Sequence, residues 1–265
     1  MKRIAITGYN SFIGNHFYKK YKNKYVIINY KENINNISKF KLFINSKRLD
    51  FFVHFAGMSR TKCDENKKLC KKTNFLSLKK IINQLNDLEH KPRFIFISTS
   101  LVYSNSSKKI KESFKKKPKS LYAKLKLNSE NYLKENYKKY SILRLFNVYG
   151  KKQPHTFFIP DIKKKIKQKK LIKLNKSTRD FIHVDDAVKI INFVIRNNIN
   201  ITLNVGSGRG TLLLSLIKMI SSFNKIKPKV KLDNKQDKLV ADISKLRSIG
   251  YKNKINKINE KYINI

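Results

Sequence analysis

A tyrosine and a lysine lie four residues apart, as Tyr122 and Lys126, in the stretch SLYAKLKLNSE (Ser120–Glu130). In a helix, residues four apart share one face, with Cβ atoms roughly 5–6 Å apart. A lysine ammonium placed there lowers the pKa of a phenol from its usual value of about 10 and makes it usable as a general acid and base. The chain contains 61 Lys and Arg residues, so the same spacing also fits an ordinary basic, solvated helix face. Spacing alone leaves both interpretations open.

The composition is that of a globular protein with a large excess of positive charge. The 265 residues carry a formal net charge of +44, and hydrophobic residues make up 40%. Such a charge would suit nucleic-acid binding, because lysines release counterions from phosphates. The lysines are scattered over the whole length, however, and Arg, the better residue for bidentate phosphate recognition, is scarce. We interpret the charge as drift of an AT-rich coding sequence and do not expect a nucleic-acid partner.

Three sequence features bear on the location of the protein. No stretch approaches the roughly 18 uninterrupted apolar residues of a membrane span. The N-terminus, MKRIAITGYN, lacks the apolar region and cleavage site of a signal peptide, so we expect a cytoplasmic protein without membrane contact. Cys63 and Cys70 lie in one polar segment without ligand-like neighbours, and we expect them to be reduced thiols.

Apolar strands alternate with helical segments over the first part of the chain. Strands are predicted at Arg3–Thr7, Tyr25–Tyr30, Phe51–Gly57, Arg93–Thr99 and Tyr140–Phe146. A long helical pattern runs over Lys67–Asp87, whereas Lys31–Lys47 leaves room only for a short helix. Continuous apolar strands separated by helices predict an α/β fold with a Rossmann-like, doubly wound parallel sheet. After Gly150 the alternation loosens, which predicts a smaller C-terminal lobe.

The first predicted strand ends in the turn TGYNSFIG. Gly8 permits a tight turn, and Gly14 lets the following helix approach the sheet. The start of that helix, with Ser11, Phe12 and Ile13, then presents backbone N–H groups to a pyrophosphate. Ser11 stands where a dinucleotide fingerprint has glycine, so the motif could also be a simple turn. Its place between a strand and a helix favours a cofactor site.

Residues after the second strand bear on the choice between NAD and NADP. NAD-specific proteins place Asp or Glu there to accept hydrogen bonds from the ribose hydroxyls. This chain has Asn29, Tyr30 and Lys31, with no carboxylate until Glu32. Lys31 could meet a 2′-phosphate, or could be one more lysine of a lysine-rich chain. We expect NAD or NADP as the cofactor and lean slightly to NADP.

Taken in order, the motifs resemble those of the extended short-chain dehydrogenase/reductase family, the NAD-dependent epimerases and dehydratases of nucleotide sugars. TGYNSFIG resembles the TGxxGxxG turn of that family, with Ser11 as the departure. The further matches are VHFAG (Val53–Gly57), Asn74 in TNFLSL, ISTSLVY (Ile97–Tyr103), YAKLK (Tyr122–Lys126), LRLFNVYG (Leu143–Gly150), RDFIHVDDA (Arg179–Ala187), NVGSG (Asn204–Gly208) and DISKLRSIGY (Asp242–Tyr251). No single match is specific, but their order along most of the chain is.

The resemblance implies a catalytic set of Thr99, Tyr122 and Lys126. Tyr122 would move a proton to or from a sugar hydroxyl or keto oxygen, and Thr99 would hold the same oxygen. Lys126 would lower the pKa of Tyr122, together with the positive nicotinamide ring, and hydrogen-bond the nicotinamide ribose. Cofactor contacts are further implied for Phe55, Ala56, Gly57 and Asn74. Residues 1–150 would then be the NAD(P)-binding domain and residues 151–265 a substrate-binding lobe, with Arg179–Ala187 returning to the first domain.

On the substrate side, Asn147 and Arg179 match positions that contact the diphosphate of a nucleotide sugar. Arginine suits bidentate phosphate binding, although Arg179 could instead cap a helix or pair with Asp180. His183, in HVDD, hints at a metal cluster, but its match to a structural motif favours a packed, hydrogen-bonded histidine. We therefore expect no metal.

The residues after Thr99 bear on the type of reaction. Sugar-nucleotide 4,6-dehydratases, which resemble this family, carry an Asp-Glu pair there, whereas this chain has Ser100 and Leu101. The prediction is therefore an NAD(P)-dependent epimerase or ketoreductase of nucleotide-sugar metabolism, such as polysaccharide biosynthesis, acting by hydride transfer. The resemblance also implies a homodimer. The alternative, encouraged by the net charge, is a non-catalytic cofactor-binding relative that acts in RNA binding or assembly.

Overall fold

Strands and helices alternate in the computed structural model, which describes residues 1–45, 48–223, 225–259 and 263. The strands are β1 (Arg3–Thr7), β2 (Val26–Tyr30), β3 (Phe51–His54), β4 (Arg93–Thr99), β5 (Tyr140–Leu145), β6 (Asn147–Tyr149), β7 (Ile172–His183), β8 (Thr202–Val205), β9 (Gly210–Leu212) and β10 (Val230–Leu239). The α-helices are α1 (Phe12–Tyr21), α2 (Ile37–Asn45), α3 (Arg60–Glu65), α4 (Lys67–Lys71), α5 (Ser77–Asn86), α6 (Leu121–Asn136), α7 (Phe158–Lys167), α8 (Val184–Arg196), α9 (Leu213–Phe223) and α10 (Ser244–Ser248). Within these ranges no helix is long and apolar enough to cross a membrane.

Six of the strands form one sheet in the order β2-β1-β3-β4-β5-β8. β1 pairs in parallel with β2 and β3, and β3 pairs in parallel with β4. In this register Thr7 lies level with Tyr30 on one side and with His54 on the other. The predicted α/β class with a Rossmann-like, doubly wound parallel sheet is confirmed. The segments that follow β1 to β4 therefore leave the sheet at one edge, where ligands of such sheets bind.

An apolar cluster packs α2 and α5 against this sheet. α2 contributes Phe40 and Ile44, α5 contributes Ile81, and the strands contribute Phe52 and Phe94. All five side chains are fully buried. Burying a side chain of this size contributes about 1.5–3 kcal/mol relative to leaving it exposed. The cluster thus keeps the strand ends, and the residues that follow them, in fixed places.

Three element boundaries refine the predicted ones. β3 ends at His54, short of the predicted Gly57, and the loop that follows is held by the side-chain amide of Asn74, which bonds both the N–H and the carbonyl of Met58. The short helix predicted within 31–47 is α2, nine residues long, and residues 46 and 47 lie outside the described part. The predicted helix Lys67–Asp87 is α4 and α5, joined by a π-helical turn over Lys72–Leu76.

The chain divides into two compact units. The first comprises residues 1–103, 115–144 and 190–203, and the second comprises 104–114, 145–189 and 204–265. In the second unit, β10, β7 and β6 form a sheet in that order, and β9 pairs antiparallel with β7. The segment Arg179–Ala187 falls within the second unit. The assignment of residues 1–150 to the cofactor and of residues 151–265 to the substrate stays a prediction.

The two cysteines are joined. Cys63 of α3 and Cys70 of α4 form a disulfide, and both are fully buried. The expectation of two reduced thiols is therefore wrong for this structure. The physical reason is the sharp junction between α3 and α4, which brings the two Cα atoms to 4.9 Å, within the range that a disulfide spans. The polar residues around each cysteine in the sequence give no sign of this approach.

Candidate active site

β4 and α6 bring together the three residues of the predicted catalytic set. Thr99 is the last residue of β4, and Tyr122 and Lys126 occupy successive turns of α6. α6 begins where it does because the Ser120 hydroxyl accepts a hydrogen bond from the backbone N–H of Ala123, at 3.2 Å. Thr99 lies near enough to the Tyr122 phenol to lower its pKa by side-chain hydrogen bonding. The geometry thus suits one substrate oxygen held between these two hydroxyls, and their catalytic roles stay predictions.

The phenol of Tyr122 lies in an apolar environment. Its ring packs on a small buried cluster that contains Leu125 and the disulfide-bonded Cys63 and Cys70. This burial raises the pKa of Tyr122 to about 12, and the hydrogen bond with Thr99 opposes the effect only in part. Loss of hydration disfavours the phenolate more than the Thr99 hydrogen bond favours it. The expected lowering of the Tyr122 pKa by Lys126 and a bound nicotinamide ring stays a prediction.

Lys126 is almost fully buried, with 6% of its surface exposed. Its ammonium donates a hydrogen bond to the Ile97 carbonyl at 2.9 Å and lies 4.7 Å from the ring centroid of Phe96. Burial lowers the pKa of Lys126 to about 8, against the opposing charge of Glu130. An ammonium with this pKa is only partly protonated just above neutral pH, so small changes in its surroundings change its charge.

A neutral histidine lies on the adjacent strand. His54 is buried in β3, and its Nδ1 shares a hydrogen bond with the Thr7 hydroxyl at 2.9 Å. Burial, assisted by the nearby charge of Lys126, lowers the pKa of His54 to about 3. His54 is therefore uncharged at neutral pH and adds no second cation beside Lys126.

Asn74 and Gly57 shape the loop beside Lys126. The Asn74 Oδ1 accepts from the Met58 N–H at 2.7 Å, and its Nδ2 donates to the Met58 carbonyl at 3.0 Å. A Cβ on Gly57 would lie 3.1 Å from the Asn74 Oδ1 and 3.7 Å from the Lys126 Nζ. Glycine therefore lets the loop approach both side chains closely. In this structure Asn74 orders the loop after β3; the predicted cofactor contacts of Asn74 and Gly57 stay predictions.

The glycine turn after β1 requires glycine at both predicted positions. Gly8 has φ +67°, and a Cβ there would lie 2.6 Å from the Ala56 backbone nitrogen. A Cβ on Gly14 would lie 2.2 Å from the Gly8 carbonyl oxygen. Ser11, the departure from the fingerprint, caps α1, because its hydroxyl accepts from the Gly14 N–H at 3.2 Å. The serine therefore closes the turn by capping α1.

A cavity of about 290 Å³ opens at this turn. Its lining residues are Thr7, Gly8, Tyr9, Asn10, Ser11, Tyr30, Lys31, Glu32, Asn33, Ile34, Ala56 and Gly57. The lining thus contains a cation, Lys31, next to a carboxylate, Glu32. The Glu32 carboxylate is ion-paired with Lys39 at 3.0 Å. Among the described residues, the buried Oδ1 of Asn29 on β2 has no hydrogen-bond partner. The glycine cradle and this unused acceptor are suited to a dinucleotide.

The remaining predicted cofactor residues lie around the same turn. Phe12 and Ile13 are the first two residues of α1, at the helix start that would face an anion. The ring of Phe12 packs against His16 at 5.5 Å. Phe55 is buried and packs against Phe17 at 5.5 Å, so any contact it makes with a cofactor is through its backbone.

In the second unit, Arg179 and Asn147 are held by different partners. The Asn147 Nδ2 donates to the Asp180 carbonyl at 2.8 Å. Arg179 pairs with Asp237 and also donates to the Thr178 carbonyl at 3.0 Å. The hydrogen bond with Arg179 lowers the pKa of Asp237. Asp237 is absent from the predicted site because it lies 58 residues from Arg179 along the chain, with no local signal that marks it.

Asp180, which follows Arg179 in the sequence, does not pair with it. Its buried carboxylate accepts hydrogen bonds from Ser207, through N–H and hydroxyl, and from the backbone N–H groups of Gly208 and Ala241. Burial raises the pKa of Asp180, and these bonds oppose that effect. Asp180 thus binds the backbone at Ser207–Gly208 and at Ala241, whereas Arg179 pairs with Asp237.

A cavity of about 690 Å³ lies in the second unit, next to Arg179. Its lining residues are Asn105, Ser106, Ser107, Lys176, Ser177, Thr178, Leu212, Leu214, Leu232, Gln236, Asp237 and Lys238. Two of these, Thr178 and Asp237, are the hydrogen-bond partners of Arg179. The volume and the mixture of leucine, hydroxyl and charged groups are typical of small-molecule sites.

His183 is a packed histidine. Its ring meets that of Tyr149 at 5.3 Å, and its Nδ1 lies 3.6 Å from a carboxylate oxygen of Asp185. Across the described ranges, no group of three or more His, Cys, Asp or Glu side chains is placed to hold a metal ion.

Comparison with known proteins identifies the family of this chain. A sequence model of the NAD dependent epimerase/dehydratase family matches residues 4–206. The ADP-L-glycero-D-manno-heptose-6-epimerase of Brachyspira hyodysenteriae is 27% identical over 239 residues, which cover 82% of this chain and 74% of that protein.

Solved structures show the same fold. The UDP-glucuronic acid 4-epimerase from Bacillus cereus, in complex with UDP-glucuronic acid and NAD, superimposes with a TM-score of 0.85 at 21% identity, over 98% of this chain and 96% of that one. RMD from Pseudomonas aeruginosa, complexed with NADPH, gives a TM-score of 0.86 at 18% identity, over 99% and 96% of the two chains. At these identities the likeness shows the fold.

Proposed function

The chain belongs to the NAD dependent epimerase/dehydratase family, and we propose that it is a nicotinamide-dependent epimerase or ketoreductase of a nucleotide-activated sugar. The observation that supports this most is that the end of β4 and the start of α6 bring the hydroxyl of Thr99 near the phenol of Tyr122, with Lys126 one turn further along α6. A general acid and base needs a proton-bearing group that can be positioned at one substrate oxygen. These residues provide that group and a second hydroxyl to orient the oxygen.

In the proposed mechanism Tyr122 transfers the proton and Thr99 orients the reacting oxygen. Bound at this site, a nicotinamide cofactor supplies the hydride acceptor or donor. Burial raises the pKa of Tyr122 to about 12, so the resting phenol is protonated and ready to donate. Acting as a base requires positive charge near the phenol, and Lys126, when protonated, can supply it from the next turn of the same face of α6.

The cofactor would be held at the glycine turn. Backbone N–H groups at the start of α1 suit the pyrophosphate, and the Gly8 and Gly14 positions leave room for its close approach. We propose NADP as the slightly favoured cofactor, because Glu32 is ion-paired with Lys39 whereas Lys31 forms no ion pair with any of the described residues. Lys31→Ala should then weaken NADPH binding roughly 10-fold and leave NADH binding unchanged, as measured by fluorescence titration.

Epimerisation or ketone reduction is proposed over dehydration. The 3-10 turn that follows Thr99, Ser100–Val102, carries no carboxylate. Eliminating water across two carbons needs an acid and a base beyond the proton carried by Tyr122. Ser100 is buried and Leu101 is apolar, so neither fills that role.

The nucleotide would be held in the second unit. We propose that Arg179 and Asn147 contact its diphosphate and that the cavity of about 690 Å³ takes the nucleoside. Arg179 is already paired with Asp237, so it is held in place with its charge compensated until an anion competes for it. Homodimer formation and a cytoplasmic location remain predictions, the first open to light scattering.

The test begins with the purified chain. The ultraviolet spectrum of the released cofactor identifies it, and turnover is then followed with NAD, NADP, NADH or NADPH against a panel of nucleotide sugars and 4-keto derivatives. Tyr122→Phe should lower the rate at least about 100-fold while the protein stays folded. Full activity of that variant would refute the mechanism. Absence of turnover on every compound, with tight, salt-sensitive RNA binding, would favour a non-catalytic RNA-binding protein.

A further inference from the structure

A fully buried ion pair lies behind the candidate active site. Glu130 of α6 and Arg144 of β5 have no exposed side-chain surface, and their closest atoms, Oε2 and Nη2, are 2.6 Å apart. The Arg144 Nε donates to both carboxylate oxygens, at 3.0 and 3.1 Å. Apolar side chains would fill such a space without the cost of removing two charges from water. The pair has no part in the proton transfer proposed above, so its other contacts are informative.

Those contacts hold the segment that carries Thr99. The Ser98 hydroxyl donates to the Glu130 Oε1 at 2.6 Å. On the other side of Thr99, the Arg144 Nη1 donates to the Tyr103 hydroxyl at 2.6 Å, and its guanidinium lies 4.9 Å from the centre of the Tyr103 ring. The ion pair therefore fastens the chain on both sides of Thr99.

The same carboxylate belongs to the face of α6 that carries the proposed chemistry. Glu130 lies four residues after Lys126 and eight after Tyr122, positions that share one helix face. The charge of Glu130 opposes the burial that lowers the Lys126 pKa to about 8. The other titratable groups around Lys126 are His54, which is neutral, and Tyr122, whose raised pKa keeps it protonated.

Arg144 binds that carboxylate. Burial disfavours the charge of Arg144, but hydrogen bonds and ion pairing with Glu130 raise its pKa overall. With Ser98 and Arg144 as donors, both oxygens of Glu130 accept hydrogen bonds. Ser98 and Arg144 thus hold the Glu130 carboxylate in place on α6, four residues after Lys126.

We propose that Glu130, held by Arg144, is the positioning residue of the site: it ties the Thr99 segment to α6 and keeps Lys126 cationic. Neither residue touches the substrate, so neither is catalytic. The proposal rests on the proposed function for its meaning, but the charge of Lys126 can be measured without any substrate.

The experiment measures the titration of Lys126 directly. The full chain is labelled with ¹³C at the lysine Cε, and ¹H–¹³C spectra are recorded from about pH 6 to about pH 11. Lys126→Arg identifies the signal. Glu130→Gln should lower the Lys126 pKa by about one unit, since a neighbouring opposite charge shifts a pKa by that order. Glu135→Gln, the same change on an exposed position of α6, should leave it unchanged.

A second variant guards against misfolding, because Glu130→Gln leaves Arg144 charged and unpaired. Glu130→Gln/Arg144→Met removes both charges and should fold, and it should still lower the Lys126 pKa, as the carboxylate on its own helix is lost. In either folded variant, the pH profile of kcat/KM should shift toward lower pH together with the Lys126 titration.

The outcomes separate the inference from the proposed function. An unchanged Lys126 pKa in a folded variant would overturn the inference, even if activity falls, since a merely structural pair would lower the rate equally at every pH. A lowered Lys126 pKa supports it. Absence of turnover by the unaltered chain would count against the proposed function and leave the titration result as it stands.

Discussion

Two buried carboxylates, one in each compact unit, are satisfied in opposite ways. Glu130 in the first unit is bound by a guanidinium, a full positive charge. Asp180 in the second unit is bound by neutral donors, the N–H groups of Ser207, Gly208 and Ala241 and the Ser207 hydroxyl. Both side chains belong to residues with no exposed surface.

Glu130 affects neighbouring side chains through its charge, whereas Asp180 holds backbone segments together. The Glu130 pair is linked through charge to Lys126 and through hydrogen bonds to both sides of Thr99. Asp180 is linked to backbone groups, so its loss leaves those donors without an acceptor. An ion pair can be removed as a unit, whereas backbone amides remain whatever side chain replaces the carboxylate.

The largest effect is expected when the ion pair is broken from one side. Glu130→Gln should lower the free energy of unfolding by about 4 kcal/mol, because Arg144 stays charged and buried. Glu130→Gln/Arg144→Met should recover most of that loss. Urea unfolding of both variants, with Glu135→Gln as the exposed control, measures the difference. If the double variant were as unstable as Glu130→Gln, the ion pair could not be removed as a unit, and Glu130 would not differ from Asp180 in this respect.

A somewhat smaller loss is expected at Asp180, with no second substitution that recovers it. Asp180→Ala leaves three buried backbone N–H groups without their acceptor and should lower the free energy of unfolding by about 3 kcal/mol. Ser207→Ala, which removes only the hydroxyl donor, should cost about 1 kcal/mol. Thermal and urea unfolding of the two variants test this order. Equal losses would show that the backbone donors are not the main partners.

The buried ammonium should make stability depend on pH above neutrality. The Lys126 pKa is lowered to about 8 from 10.5, so between these values the unfolded chain binds a proton that the folded chain does not. Stability therefore rises as pH increases from about 8 to about 10.5. The gain attributable to Lys126 should be about 2–3 kcal/mol. Its measure is the difference between the unaltered chain and Lys126→Met in urea unfolding; parallel pH profiles would rule it out.

The smallest effect is expected at Ser11, where an oxygen also accepts from a backbone N–H but at a partly exposed helix start. Ser11→Gly restores the glycine fingerprint and removes the cap of α1. It should lower the free energy of unfolding by only about 0.3 kcal/mol, because water replaces the lost acceptor. The melting temperature should hardly change. If Ser11→Gly lowered the free energy of unfolding as much as Asp180→Ala, burial of the acceptor would not determine the size of the loss.

Much of the fold follows from local sequence pattern. The apolar runs that predict strands from Arg3 to Phe146 are strands β1 to β5, because continuous apolar runs are typical of strands in a parallel sheet. Gly8 and Gly14 are recognised from spacing, and the close contacts a Cβ would make there explain why. The Tyr122 and Lys126 spacing likewise places both residues on adjacent turns of one helix.

The partners of charged and polar groups do not follow from pattern. Arg179 pairs with Asp237 and not with the adjacent Asp180, because the carboxylate of Asp180 is taken by backbone donors. The Cys63–Cys70 disulfide depends on the turn between two short helices, and local polarity gives the opposite expectation. One usable signal for Glu130 is its place eight residues after Tyr122 on the same helix face.

By itself, the sequence determined the order of strands and helices, the glycine turn and the shared helix face of Tyr122 and Lys126, since these depend on residues close together in the chain. Only the tertiary structure decided the protonation of those groups. Burial raises the pKa of Tyr122 to about 12 and lowers that of Lys126 to about 8, the reverse of an exposed tyrosine activated by an exposed lysine. Desolvation depends on everything that packs around a group, and Glu130 and Arg144 reach this site from separate elements that only folding brings together.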